Sequence, residues 1–455
     1  MDESSNIGGI IQSKIIIAAA AAVIIAVAGI AAIAVLGNDD GQDKTFNPYD
    51  SDSVRLKILG NADGSDAIDS DDVDLINRII EANSDEDETK HIDWKTQYPF
   101  ADADNDGDVD ADDAALVQKF INKESAKMYY LNYYGNVTYV NYPIWQHIGA
   151  EYLQLQILPI IHSYSMLTAI DTTTPTMYGD SMFPGITKLE SLGNWREITV
   201  ETMTKLNSEG KLDTLLQWTG GQNSDYLWDK AYESGIADKV SIVIVPCQGP
   251  RCIEGILEVA CMLGDQSLSD DYREWYDNII DSFSGITEKK TVTAVRGYST
   301  DQSTIAAFGS DQGPALWFNE IINFQEAYVG KTNFTGLGYE GFSSSATDEV
   351  IVMFQKPASV TYEGFNSYVE EIYKALFPET SQYKNQTLYA ISFEIMPYAA
   401  GPAGCYILAS YLYPDMFDTE KALDCLQEYL DNFGIRSGAD ARQGYTYTGS
   451  GYGAS

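Results

Sequence analysis

Apolar residues in this chain follow three different rules along its length. From Ile15 to Leu36 they run without interruption, 22 uncharged residues of Ile, Ala, Val, Leu and one Gly. At 1.5 Å per residue a helix of that length reaches about 33 Å, enough for a bilayer core. Two shorter groups then recur at helical spacing: Leu75, Ile76, Ile79 and Ile80, followed by Leu116, Val117, Phe120 and Ile121. Each predicts a helix with one apolar stripe. From about 137 onward, strands alternate with helices. Val240–Val245, bounded by Pro246, is a β-branched run suited to a parallel strand buried on both faces. Leu212–Trp218, Thr291–Val295, Glu349–Phe354 and Leu388–Phe393 read likewise, with helices over Ser224–Ser234 and Glu363–Leu376. This alternation predicts α/β sheet architecture. Ser267–Phe283 is a long amphipathic helix with Leu268, Tyr272, Trp275, Tyr276, Ile279, Ile280 and Phe283 on one face. It separates two α/β halves, 137–265 and 289–435, and reads as a strut joining two lobes around a cleft. An ordinary crossover helix within one sheet is the alternative.

The two short helical patterns each follow an acidic loop. In the second loop, Asp102, Asp104, Asp106, Asp110 and Asp113 stand at positions 1, 3, 5, 9 and 12. Gly107 is at 6, Asp108 at 7 and Val109 at 8. That spacing suits a hard cation needing six to eight oxygens, with glycine permitting the sharp turn. Asp at position 12 shortens the arm that is Glu in an EF-hand. The first loop begins 41 residues upstream, with Asn61, Asp63, Ser65, Asp69 and Asp72 at the same positions and Ile68 at 8. Asp66 replaces its glycine and Ser65 a carboxylate, so this loop is expected to hold Ca²⁺ weakly or not at all. Two loop–helix units at a fixed offset form an internal repeat. Across roughly 54–124 they resemble the dockerin family, which implies structural Ca²⁺ and a cohesin-like partner.

Composition narrows the partners. A net charge of −39 over 455 residues excludes nucleic acid, whose phosphates need Lys and Arg. Of the 67 acidic residues, 25 lie between 38 and 126, so much of the charge belongs to the loop segment. Lys14 precedes the long apolar run and Asp39 and Asp40 follow it, which places the N-terminus inside and the rest outside the cell. An uncleaved signal anchor, single-pass in the cell membrane, is the reading adopted; a cleaved secretory signal competes with it. Five cysteines cannot all pair; Cys247–Cys252 and Cys405–Cys425 are candidate disulfides, and buried free thiols are the alternative.

Phrases in the large region carry a second resemblance. Leu192-Gly-Asn-Trp-Arg-Glu-Ile-Thr-Val-Glu201 and Leu212-Asp-Thr-Leu-Leu-Gln-Trp-Thr-Gly-Gly-Gln-Asn223 look like the first lobe of helical-backbone ABC-importer binding proteins. Leu388-Tyr-Ala-Ile-Ser-Phe-Glu394 is similar to that family's late strand. Ala409–Phe417 and Leu426–Phe433 echo its C-terminal helices. The resemblance covers roughly 137–435 in order and implies capture of an iron–siderophore, corrinoid or haem, then delivery to a membrane permease. It aligns Glu201 and Glu340 with the glutamates that dock, one per lobe, onto permease arginines.

Ligand contacts are expected from loops at the carboxyl ends of parallel strands. The candidates are Tyr164, Trp218 with Gly220 and Gly221, Arg296 with Tyr298, Phe354 with Gln355, and Glu394 after Phe393. Aromatics suit planar macrocycles or catecholates, and arginine suits anionic oxygens. Three scattered histidines do not make a bare-metal site; His162, beside Tyr164, is a candidate axial ligand to haem iron or cobalt. No Ser–His–Asp phrase, Walker loop, HExxH or paired cysteine cluster points to an enzyme. A calcium-dependent surface adhesion or scaffolding protein is the competing class.

The expected fold is therefore α/β: two Rossmann-like lobes bridged by a long helix, a small all-α dockerin-like EF-hand domain and an N-terminal transmembrane helix. The segments are 1–38 (tip and anchor), 39–126 (calcium loops), 127–266 (lobe 1), 267–288 (connecting helix), 289–435 (lobe 2) and 436–455 (flexible tail). The first lobe's first strand is expected around Leu155–Tyr164. The tyrosine-rich stretch 125–136 is expected to pack on that lobe as a linker.

Overall fold

The computed structural model describes residues 54–144, 146–151, 154–194, 198–217, 230–297, 305–307, 313–325, 335–337, 339–354, 359–396, 398–436 and 438–447. The apolar run Ile15–Leu36 lies outside them, and no helix among the described residues is long and apolar enough to cross a membrane. The chain divides into two compact units, Met1–Ile144 with Cys261–Gly264, and Trp145–Ala260 with Asp265–Ser455.

In the first unit the repeat is visible as two helices, α1 (Ser70–Asn83) and α2 (Ala111–Ile121), each beginning where its acidic loop ends. Asp69 and Asp110 are the N-caps, and Asp72 and Asp113 return hydrogen bonds to the cap N–H groups at 2.9 and 2.8 Å. Positions 9 and 12 of each loop thus form a capping box, which satisfies helix N–H groups that have no intrahelical partner. Leu75, Ile76 and Ile79 on α1 and Val117 and Phe120 on α2 are buried. The stretch expected as a linker is instead a strand: β1 (Ala126–Leu131) pairs antiparallel with β2 (Val137–Tyr142), with Met128 opposite Val140. Met128, Tyr130, Val140 and Tyr142 are buried, and the Tyr142 hydroxyl donates to the Phe120 carbonyl at 2.7 Å. The hairpin therefore belongs with the loop segment, and the boundary expected at 126 falls near Ile144. The period-two alternation of buried positions is the cause, with Asn132–Asn136 supplying the turn.

The second unit holds two separate sheets. The first has five parallel strands in the order β5-β4-β3-β6-β7: β3 (Ile148–Ala150), β4 (Leu167–Ile170), β5 (Glu190–Ser191), β6 (Thr214–Leu216) and β7 (Ser241–Val243). Its first strand is Ile148–Ala150 and not the run at Leu155–Tyr164. That run forms a 3₁₀ turn, Gln154–Gln156, and one α-turn, Ile157–Ile160. Leu155, Ile157, Leu158, Ile160 and Ile161 are all buried, so the run has no period to distinguish strand from helix.

The second sheet runs β11-β9-β8-β12-β13, with β10 also on β8. Its strands are β8 (Thr291–Arg296), β9 (Ile305–Ala307), β10 (Asn323–Gln325), β11 (Thr335–Leu337), β12 (Val350–Phe354) and β13 (Leu388–Ser392). The central trio β8, β12 and β13 is parallel, while β9 and β11 are antiparallel. Helices of this unit include α3 (Val200–Ser208), α4 (Cys252–Met262), α5 (Asp270–Ser282), α6 (Gly313–Ile321), α7 (Tyr339–Ser345), α8 (Phe365–Leu376), α9 (Gly401–Leu412) and α10 (Thr419–Asn432). Most of the helix expected at Ser224–Ser234 lies outside the described residues.

The connecting helix α5 joins the two sheets as expected. Tyr272, Trp275, Tyr276 and Ile279 are buried. Trp275 packs on Tyr429 at 5.3 Å and Tyr272 on Phe433 at 5.4 Å between ring centroids. Its two tyrosine hydroxyls bond different lobes: Tyr276 donates to the Pro250 carbonyl and Tyr272 to the Ala399 carbonyl, each at 2.8 Å.

All five cysteines are free thiols, so neither candidate disulfide is present. Cys252 lies 3.4 Å from the Tyr272 hydroxyl, and Cys405 donates to the Trp317 carbonyl. The tail expected to be flexible is folded back as far as Tyr447. Thr446 bridges Ile391 beside β13, and Arg442 pairs with Glu420 and Asp424 at 2.9 Å each. Polar anchoring replaces the missing apolar period, which is why the sequence pattern did not announce it.

Replacing Trp275 with Ala should lower the unfolding free energy by about 3–5 kcal/mol, the usual cost of emptying a buried aromatic site. Urea denaturation followed by circular dichroism checks this; Leu268→Ala, at a half-buried position outside α5, should change it by less than about 1 kcal/mol.

Candidate functional site

A narrow crevice of about 570 Å³, counting its open mouth, lies between the lobes of the second unit. Gln156, Pro159, Met182 and Phe183 line it from the first lobe. Tyr362, Glu394, Ile395 and Ala400 line it from the second, and α10 with the tail adds Tyr429, Phe433, Arg436 and Tyr445. Glu394 is there because β13 ends at Ser392, so its loop emerges at the carboxyl edge of the sheet. Its walls are mostly apolar with a few convergent polar groups, the combination found at small-molecule sites.

Those polar groups form one cluster. The Tyr362 hydroxyl donates to Glu394 Oε2 at 2.9 Å. The Arg436 guanidinium lies on the Tyr362 ring, 3.4 Å from its centroid, and 5.6 Å from that of Tyr445. Burial first, and then the charge of Glu394, hold the Tyr362 phenol well above its ordinary value, so it stays a donor. Gly444 makes the arrangement possible: its φ is +85°, and a Cβ there would sit 2.6 Å from Tyr362. Between the lobes, the Tyr178 and Tyr398 hydroxyls meet at 2.8 Å, both side chains buried.

Of the residues expected from sequence, Glu394 lines the crevice. Arg296 is the last residue of β8 and packs over Phe393, 5.2 Å from its ring centroid, next to Glu394 in the chain. Phe354 is fully buried in the second lobe's core among Phe365, Tyr368 and Tyr373, so it is packing and not a ligand contact. Tyr164 sits in a 3₁₀ turn before β4, bonded to the Pro184 carbonyl, with burial pushing its phenol up to about 12. Neither Tyr164 nor the exposed His162 is among the residues lining this crevice. Trp218, Gly220, Gly221, Tyr298 and Gln355 lie outside the described residues. Glu201 and Glu340 are exposed, each in the first turn of a helix, α3 and α7, one per lobe. Sequence reasoning missed Tyr362, Arg436 and Tyr445, which only the tail's return brings together.

In the first unit the second acidic loop brings Asp102, Asp104 and Asp106 together, with ligand oxygens within 4.8 Å of one another. Asp102 is buried and accepts from Asp106 and Gly107 N–H groups at 3.1 and 3.0 Å. Burial and then the charge of Asp113 push its carboxyl up to about 7; burial pushes Asp113 itself to about 6. Crowded, partly desolvated carboxylates of this kind fit a hard cation, which would relieve their repulsion. Asp108, Asp110 and Asp113 are not in the convergent group, and both Asp113 oxygens are taken by backbone N–H groups of Ala103, Asp104 and Asp110. The first loop is built differently. The Asn61 amide donates to the Leu56 and Ser65 carbonyls at 2.7 Å each, tying the loop shut from inside. Arg55 forms a two-pronged ion pair with Asp66, so a guanidinium already occupies the loop's edge. Asp63 accepts from the Ser65 N–H at 2.9 Å, and Asp72 accepts from the Asp63 N–H at 3.1 Å and serves as cap, its carboxyl raised to about 7 by burial.

Tyr178→Phe should destabilise the second unit by about 1 kcal/mol, the net worth of one buried hydrogen bond. In a double-mutant cycle with Tyr398→Phe, measured by urea denaturation, the two losses should not add.

No protein-family model matches this chain, and no match is found among curated proteins. Among solved structures, it is similar to a TroA-like periplasmic binding protein, FepB, from Veillonella parvula: TM-score 0.55, 13% identity, covering 70% of this chain and 98% of that one. A periplasmic solute binding protein from the same organism matches with TM-score 0.51 and 14% identity, covering 68% and 93%. At that identity the likeness is one of fold, and the α/β lobes of this chain have the fold of TroA-like periplasmic binding proteins.

Proposed function

We propose that this chain is the extracellular, membrane-anchored binding component of an ABC importer for a metal chelate, an iron–siderophore or a corrinoid, with haem as a further candidate. One observation carries the reading: two separate sheets, joined by α5, meet at a crevice lined from both lobes. A carrier needs such a hinged space, because cargo is gripped by closing two bodies around it and released by parting them. The fold shared with TroA-like periplasmic binding proteins supports it. In this reading the run Ile15–Leu36 is the anchor, and exposed Glu201 and Glu340, on opposite lobes, dock onto permease arginines. Paired charges on two bodies fix orientation and speed encounter.

The Asp102–Asp104–Asp106 cluster favours Ca²⁺ as a structural ion in the second loop. The first loop, held by Asn61 and Arg55, stays metal-free. A cation-loaded loop also supports a second reading, a calcium-dependent surface adhesion or scaffolding protein with a cohesin-like partner; pull-down with and without chelator separates the two.

Tryptophan-emission titration with hydroxocobalamin, haemin and ferric chelates tests the carrier reading: saturable quenching by one of them is expected, and no response to any would overturn it. Glu201→Lys with Glu340→Lys should leave that quenching unchanged while abolishing uptake in cells. Calorimetry should find one Ca²⁺ per chain, and Asp104→Asn should weaken it about tenfold or more.

A pH dependence follows from Asp72 and Asp102, raised to about 7, and Asp113, raised to about 6. A raised carboxyl favours folding in its protonated form, so its contribution is full below 3.8 and lost as pH climbs through 6–7. In chelator, the first unit's melting temperature should therefore fall between about pH 5 and pH 8; with Ca²⁺ it should rise, because ionised ligands hold the cation.

A further inference from the structure

The crevice holds a polar group whose bonding is incomplete. Arg436 Nε is buried and has no hydrogen-bond partner, although the residue lies against two tyrosine rings and lines the cleft. Stacking uses the face of a guanidinium and leaves its edge N–H groups for acceptors in the plane. A buried donor without an acceptor is a cost to the fold, which a ligand oxygen at that place would recover. The segment that presents it is firmly fixed. Gln427 bonds to Ala439 and Ala441 at 3.0 and 2.9 Å, the Ser392 N–H donates to the Tyr445 carbonyl at 2.7 Å, and Tyr447 donates to Glu370 at 3.1 Å.

We propose that Arg436, carried into the crevice by the folded-back C-terminal segment, receives an anionic oxygen arm of the ligand, a carboxylate or a catecholate. Tyr362 holds the guanidinium in plane by stacking and bonds Glu394 through its hydroxyl. Glu394, on the same tyrosine as the guanidinium, opposes a ligand that brings excess negative charge. The tail is thus a wall of the binding site. This inference rests on the carrier reading and narrows it to cargo with anionic oxygen arms.

The test is tryptophan-emission titration of the full-length chain with four probes. A ferric tris(catecholate) chelate and haemin, with its propionates, carry catecholate or carboxylate arms; ferrichrome, an uncharged hydroxamate chelate, and hydroxocobalamin, whose one anionic group is an internal phosphodiester, carry neither. The wild type is expected to bind one of the first two. Arg436→Gln should weaken that probe about 10- to 100-fold, the worth of a charge-assisted hydrogen bond. Glu394→Gln should tighten the same probe, whereas a purely structural pair would make both substitutions weaken it alike. Should Arg436→Gln fail to fold, Arg436→Lys serves, retaining charge without the planar fork and losing only part of the affinity. Binding confined to ferrichrome or hydroxocobalamin, or equal losses from Arg436→Gln and Glu394→Gln, would overturn the proposal and leave the carrier reading standing. Silence from all four probes would remove both.

Discussion

The second unit depends on one helix and its two tyrosine hydroxyls. Tyr276 and Tyr272 sit one turn apart on α5, yet one bonds the Pro250 carbonyl of the first lobe and the other the Ala399 carbonyl of the second. The aromatic face between them, Trp275 against Tyr429 and Tyr272 against Phe433, fixes α5 to α10. Two sheets whose strands never pair need such a mediator. It sets much of the relation between side chains on the two walls of the crevice. The Tyr178–Tyr398 contact is a second, slighter tie across the same gap. A single hydrogen bond of this kind contributes about 1 kcal/mol net.

The crevice shows how a chain places polar groups in an apolar space. Glu394 arrives at a strand end, where the α/β architecture delivers loops to ligand sites. Arg436 and Tyr445 arrive from beyond the last helix, on a segment held by side-chain amides and ion pairs. The two routes differ in cost. A strand end is positioned by the sheet, whereas the tail must be tied down residue by residue, and Gly444 supplies the left-handed turn that no other residue adopts cheaply.

In the first unit, the same carboxylates face two demands. Asp72 and Asp113 close capping boxes, so their oxygens are committed to backbone N–H groups. Asp102, Asp104 and Asp106 are left to converge. The first loop resolves the conflict with Asn61 and Arg55, an amide and a guanidinium taking the places where cation contacts would otherwise form. Two loops that share one spacing thus differ in chemistry through a few residues.

Much of this was legible in the chain. The apolar runs at Val240, Glu349 and Leu388 contain strands because parallel strands covered on both faces read as near-continuous apolar runs. The stripe from Tyr272 to Phe283 declared α5, and the spacing from Asp102 to Asp113 declared a turn ending in a helix. These signals are local, set by periods of two or 3.6 and by capping chemistry. What the chain by itself left open was decided by contacts between distant residues. The Leu155–Ile161 run is apolar on every side, so only its surroundings made it helical; Phe354, at a strand end, went into the core because α8 covers it. The tail's Gly, Ser and Tyr carry no period, and its place beside β13 comes from partners up to 77 residues away. Local free energy chooses helices and strands; which side chains share a crevice depends on the closure of the whole chain, and no short window of sequence contains that information.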